Sequence, residues 1–377
     1  MRKLLPVVVV VLVLVPLARL GKGQYYLPPT QAGIMPPGAG MQQASFQGAA
    51  PQSYPTDAGC HAGGACASGG CAGGGASVPD WQAFGAALCL HPRNAGVEYA
   101  LPINGPIATG NVPLQMGTIG IVDPDYKVGF LVGATKALDK CSSLSFTYAY
   151  YANIATDSIG TNAPLVLQSM VMHPSSYDAA NYWNSASARE YVGFQTGDVD
   201  YREQLYCDDC GSFTYLVGGR YANLRQDFNS NFESNISAAV GTSVNFDGGG
   251  LRVGLEGERH GCYGLFFYGK SAASFLGGML RANYLQTNST VNRPIADATW
   301  KEARLVPVLE GELGVGWAGA GGHLRAAIGY SIAGWLNMVK PADFIDSVQA
   351  NSYHGAHALG QSDLVFDGFV SRVEFSW

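Results

Sequence analysis

Leu364-Val365-Phe366-Asp367-Gly368-Phe369-Val370-Ser371-Arg372-Val373-Glu374-Phe375-Ser376-Trp377 alternates with a period of two. Trp377, Phe375, Val373, Ser371 and Phe369 form a mostly apolar row, while the interleaved Ser376, Glu374, Arg372, Val370 and Gly368 carry both charges. A period of two with unlike faces specifies a β-strand. Ending such a strand on a large aromatic suits an outer-membrane barrel, whose last strand closes the cylinder and sets a ring at the lipid–water interface.

The composition points the same way. Charged residues are 13% of the chain, about half the usual quarter, and mean hydropathy is +0.07. Fifty glycines and 20 tyrosines accompany them. A barrel wall produces this mixture, because alternate residues face lipid, glycines let strands bend, and Tyr and Trp gather at the interfaces. On composition alone a soluble exported β-sandwich competes. The net charge of −6, with only 22 Lys and Arg and no basic stripe, argues against nucleic acid as a partner.

Met1-Arg2-Lys3 followed by an apolar run from Leu4 to Ala18 reads as a secretory signal, too short for a comfortable span. Gly21 and Gly23 place the cut before Gln24, giving a signal peptide over 1–23. Residues 24–80 are rich in Gly, Pro, Ala, Gln and Ser and hold Cys60, Cys66 and Cys71. Such a segment buries no core and reads as a disordered periplasmic tail. Its cysteine spacings match no common zinc pattern, so no metal and no cofactor is expected. The barrel is assigned to 81–377.

Strand patterns follow at 126–138, from Leu144 to Tyr150, at 190–206, from Phe213 to Tyr221, at 251–256, 263–288, 304–317 and 324–338, and at the C-terminus. Short breaks near 139–141, 207–210, 260–262 and 318–322 alternate with longer segments at 156–189, 227–248, before 304, and at 339–362. Short periplasmic turns and long external loops alternate in this way in outer-membrane barrels. Nine strands emerge, and a chain with both ends in the periplasm needs an even number, so a tenth is placed near 96–101. The expected fold is all-β: an antiparallel transmembrane barrel of about ten strands, with eight to fourteen allowed.

If one face meets lipid, the other is the lumen. Arg325 opposes Leu324, Ala326 and Ile328; Arg304, Glu310 and Glu312 oppose Leu305, Leu309 and Leu313; Arg252, Glu256 and Glu258 oppose Leu251, Val253 and Leu255. Asp198, Asp200, Arg202, Arg220, Lys270, Arg372 and Glu374 complete the pore-lining set. A Lys or Arg on the lipid face costs about 2–4 kcal/mol near the midplane, which decides the sidedness. Asp367 and Glu203 fall on the lipid row, near strand ends. Ten strands lie between a packed eight-stranded interior and an open porin. The mixed charges therefore either line a watery path for small polar solutes or lock into salt bridges that conduct little.

Several segments carry a family likeness: Asp125-Tyr126-Lys127-Val128-Gly129-Phe130, Gly218-Gly219-Arg220-Tyr221-Ala222, Leu265-Phe266-Phe267-Tyr268-Gly269-Lys270, and Val306-Pro307-Val308-Leu309-Glu310-Gly311-Glu312-Leu313-Gly314. The glycine-rich run from Phe246 to Gly257 adds to them. Over roughly 120–377 the chain resembles the Legionella-type pore-forming major outer-membrane proteins. The resemblance implies a β-barrel porin and no catalytic residues.

Cys207-Asp208-Asp209-Cys210 sits in a turn rather than at a helix start, so Cys207 and Cys210 are a candidate disulfide in an oxidising compartment. Cys141 and Cys262 fall at neighbouring turns, which suggests further cross-links. His354 and His357 share a polar loop and, with His173, read as solvated. No Gly-x-Ser-x-Gly elbow is present, and no enzyme activity is expected. The expected function is passive diffusion of small hydrophilic solutes across the outer membrane; the alternative is a non-conducting structural or adhesive barrel tethered through the Cys-rich tail. Expected partners are outer-membrane lipids and the barrel-assembly machinery, met through the strand ending at Trp377.

Overall fold

The computed structural model describes residues 80–105, 113–208, 211–319, 323–350 and 362–377. The signal over 1–23, the tail expected over 24–80 except Asp80, the Cys207–Cys210 pairing, His354 and His357 lie outside the described residues. In chain order the elements are β1 (Trp81–Arg93), β2 (Val97–Ile103), β3 (Gly120–Val122), β4 (Lys127–Ala137), β5 (Ser142–Gly160), β6 (Val166–Ser169), β7 (Ser185–Asp208), β8 (Gly211–Glu233), β9 (Ser237–His260), β10 (Leu265–Asn288), β11 (Val291–Ala318), β12 (Leu324–Met338), α1 (Pro341–Gln349) and β13 (Ser362–Ser376).

Ten of these strands close an antiparallel barrel in the order β1-β13-β12-β11-β10-β9-β8-β7-β5-β4, and β4 pairs back onto β1. The quoted C-terminal strand is β13, seated between β12 and β1. Phe369, Val373 and Phe375 face outward and are more than half exposed, whereas Phe366, Val370 and Arg372 are buried inside. Period two has thus sorted the side chains to the two faces of one wall.

The tenth strand is not at 96–101. It is β1, and Val97–Ile103 instead pairs with β3 and β6 in a small separate sheet. The alternating row Phe84, Ala86, Leu88, Leu90 marks β1, but it is short and rich in Ala and Gly, so it reads weakly as a strand.

Two of the expected long loops are also strands. Residues 227–248 belong to β8 and β9, joined by a turn at 234–236, and β10 passes to β11 through residues 289–290. The physical reason is an inversion of polarity along one strand. Val217 and Tyr221 of β8 face outward and exposed; farther on, outward positions are Asn223, Arg225, Asp227 and Asn229, while Leu224, Phe228 and Phe232 are buried within. The wall has left the apolar zone, so its outer face becomes polar and its inner face becomes core. β7 to β11, of 23 to 28 residues, rise as a tall wall beyond the shorter β1, β4, β12 and β13.

The short turns gather at the opposite end. Between β4 and β5, Asp139 accepts from the Ser142 hydroxyl at 2.6 Å and from the backbone N–H groups of Cys141 and Ser142 at 2.8 Å each. These donors hold its carboxyl below the usual carboxylate range. Cys141 in the same turn is disulfide-bonded.

Candidate functional site: a charged chamber beneath an apolar plug

Inside the barrel, toward the short-turn end, lies a chamber of about 370 Å³. Its wall includes Asp198, Asp200, Arg202, Arg220, Arg252, Glu256, Glu258, Lys270, Glu310, Glu312, Arg325, Arg372 and Glu374. Strand register explains the gathering: Asp198 faces Arg220, and Lys270 lies between Glu256 and Glu312 on neighbouring strands. Arg304 lies apart. It is inward but nearer the plug, where it pairs with Glu302 at 2.9 Å, donates to the Asn337 carbonyl and packs over the Trp300 ring.

The chamber charges are locked together. Arg220 donates through Nε and Nη2 to both oxygens of Asp198, 2.7 Å each, a bidentate fork. Its Nη1 lies 2.9 Å from Glu310 Oε1, an ion contact without hydrogen-bond alignment. Arg252 bridges Asp200 and Glu310, Arg202 meets Glu256, Arg325 holds Glu258 at 2.5 Å, and Arg372 reaches Glu312 at 3.2 Å. Tyr268 donates to Glu312, and Gln82 to Glu374. Lys270 makes no ion pair among the described residues and sits 5.7 Å over the Tyr268 ring.

Gly218 lets Asp200 and Arg252 meet. It stands between them on β8, and a Cβ there would overlap the Val199 carbonyl and the Asp200 side chain. Gly218→Val should therefore abolish the folded form that resists heating in detergent, while Gly257→Val, with Phe213 3.6 Å from the added Cβ, should retain it. Heat-dependent gel mobility reads both.

Above the chamber the lumen turns apolar. Phe194 stacks on Tyr151 with centroids 5.5 Å apart, meets Phe366 edge-on at 5.0 Å and approaches Trp335 at 6.2 Å. In the same register row stand Leu224, Phe246 and Leu280 from β8, β9 and β10, and all belong to one continuous buried cluster. Farther on, Phe344, Ile345 and Val348 of α1 join that cluster, as do Tyr99, Leu167 and Trp183 from the small sheet and its neighbourhood.

Hydrogen bonds fasten this cap. Gln349 donates to the carbonyls of Met170 and Met172, Tyr284 to that of Val171, and Gln226 to that of Val339, just before α1. The plug and cap lie beyond what the strand alternation alone predicts. Their sequence signal is an inverted alternation: in β8 Leu224, Phe228 and Phe232 fall on the face that carries Arg220, and Val244 and Phe246 of β9 and Leu280 and Tyr284 of β10 repeat the pattern.

The two acids expected on the lipid row do face outward, each with partners. Asp367 pairs with Arg93 at 2.7 Å and accepts from Tyr330, and Glu203 accepts from the Tyr215 and Tyr201 hydroxyls.

Comparison with known proteins identifies the barrel. The family model described as Legionella pneumophila major outer membrane protein precursor matches residues 77–377. The chain belongs to this family. Its barrel is thus an outer-membrane barrel, as the expected fold required. Among solved structures it is similar to the outer membrane protease OmpT from Escherichia coli, at 9% identity and a TM-score of 0.45, covering 79% of this chain and 97% of that one. It is also similar to the Pseudomonas putida toluene transporter TodX, at 7% identity and a TM-score of 0.28 over 80% and 91% of the two chains. A Pseudomonas aeruginosa FadL homologue matches at 8% identity and a TM-score of 0.22, covering 78% and 90%. These likenesses concern the fold alone. A search of curated proteins finds no significant match.

Proposed function

We propose that this barrel is a pore for small hydrophilic solutes whose conformation here is the closed one, with the short turns periplasmic and the cap outside. The supporting observation is the charged chamber. Buried ion pairs are poor stabilisers, since apolar side chains of similar volume usually do as well or better. A purely structural barrel gains little from lining its lumen with these charges. Water reaches them: Glu256 keeps 20% and Arg325 25% of the side chain exposed. An aromatic plug beyond such a chamber is a gate of the dewetting kind, which conducts once it parts and hydrates.

The ion-pair lattice and the fastened cap favour a second reading, a barrel that stays shut and serves the envelope structurally. Liposome swelling separates the two. On the pore reading, vesicles carrying a chain with its cap loosened swell quickly in an isosmotic pentose solution and more slowly in an isosmotic trisaccharide solution. Equal, negligible permeation of both sugars supports the structural barrel.

Six bases against seven acids line the chamber, so the open pore should be weakly selective. Among the described residues Lys270 is the wall cation without an ion pair. Lys270→Glu should shift the reversal potential of the loosened pore toward cation preference, and an unchanged potential would remove Lys270 from the path.

A further inference from the structure

Toward the cap end the outward belt of apolar residues stops within one step on several neighbouring strands. Outward positions pass from Tyr221 to Asn223 on β8, from Leu251 through Gly249 to Asp247 on β9 and from Met279 to Arg281 on β10. One step farther, the register places Arg225, Asn245, Arg281 and Lys301 in a single row across β8, β9, β10 and β11. All point out of the barrel.

Arg281 and Lys301 are direct cross-strand partners, and like charges so placed repel. Asp247 lies 3.3 Å from Arg281 and Asp227 takes the Arg225 Nε at 2.6 Å, but both guanidinium groups keep other donors free for a ligand, with side chains 48% and 60% exposed. Lys301 has no ion pair among the described residues. Beside the row opens a hollow of about 700 Å³ walled by Arg189, Tyr191, Arg225, Asp227 and Asn283, with Ile154 and Leu285 as its apolar part. On the far side of the barrel Arg93 is already engaged by Asp367. Basic donors directly above an apolar belt fit one kind of molecule, an amphiphile with an anionic head.

We propose that this row docks the phosphorylated headgroup of an outer-leaflet glycolipid, whose acyl chains lie along Leu251, Val253 and Phe275 below it. The phosphate would sit between Arg281 and Lys301, relieving their repulsion, and the sugars would lie against the polar wall above. This rests on the orientation proposed above, with the cap outside. It does not depend on conduction.

The test is native mass spectrometry of the full chain refolded in a neutral detergent. The probes are a bis-phosphorylated disaccharide lipid, the same lipid dephosphorylated, and inorganic phosphate as competitor. The expected result is retention of the phosphorylated lipid at least tenfold above the dephosphorylated one, weakened by salt. Retention should fall at least tenfold in the triple variant Arg225→Ala, Arg281→Ala, Lys301→Ala. If the triple variant does not fold, Arg281→Gln alone should reduce retention severalfold. Equal retention of both lipids, displacement by millimolar phosphate, or undiminished binding by the folded variant would overturn the proposal. A barrel that never conducts would refute the pore and leave this measurement unchanged.

Discussion

Arg220→Ala is expected to destabilise the barrel by about 3–5 kcal/mol, the cost of leaving buried charges without their partner. Arg220 and Asp198 have side chains only 3% and 5% exposed, and Glu310 loses the same guanidinium. Asp198, Asp200 and Glu310 would then be left with Arg252 as their shared base, the two aspartates in a poorly hydrated corner. Unfolding by denaturant in micelles should show the midpoint falling steeply. Removing the opposing charge as well, in Arg220→Met with Asp198→Asn, should recover much of the loss, because the penalty lies in the unpaired charge rather than in the missing bond. A single variant as stable as the parent would mean that water reaches this corner freely and that the lattice is not a low-dielectric one.

Ile345→Asp should release the cap. Ile345 is 2% exposed on the inner side of α1, beside Phe344 and Val348, and a carboxylate there has no place in the apolar cluster. Desolvating such a group costs several kcal/mol, so the helix should lift instead. Backbone hydrogen exchange over 341–349 should accelerate about a hundredfold, since 1.4 kcal/mol is a factor of ten, while β8 and β9 stay protected. Asp346→Asn, on the exposed face of α1, should change little. Equal protection in Ile345→Asp and the parent would show that α1 is not held by its buried face.

The wall of the barrel was legible because period two is a strong signal wherever the two faces meet unlike solvents. Leu251, Val253 and Leu255 against Arg252, Glu256 and Glu258 could be sorted from the sequence, and the structure places them on opposite faces. The same rule misled one step beyond the membrane zone. Asn223, Arg225 and Asp227 face out there because the outer face meets water, and their polarity read as loop. The C-terminal strand shows both regimes, with Phe369 and Phe375 outside and Phe366 inside.

Which lumen charges pair was not legible. The Arg252–Asp200 contact spans β7 and β9 across Gly218, and that depends on strand register, which no alternation reveals. The plug was hidden for a related reason. Tyr151, Phe194, Trp335 and Phe366 come from four strands far apart in the chain, and each alone looks like an ordinary strand aromatic.

On the pore reading a polar chamber is closed by an apolar plug beneath a cap. Single-channel current in a planar bilayer tests it most directly, comparing the parent with Ile345→Asp carrying Phe194→Ser in addition. Long silent intervals are expected for the parent and frequent, stable open steps for the variant at the same inserted amount. Steady open steps from the parent would contradict closure by the plug; silence from a folded, inserted variant would contradict the pore.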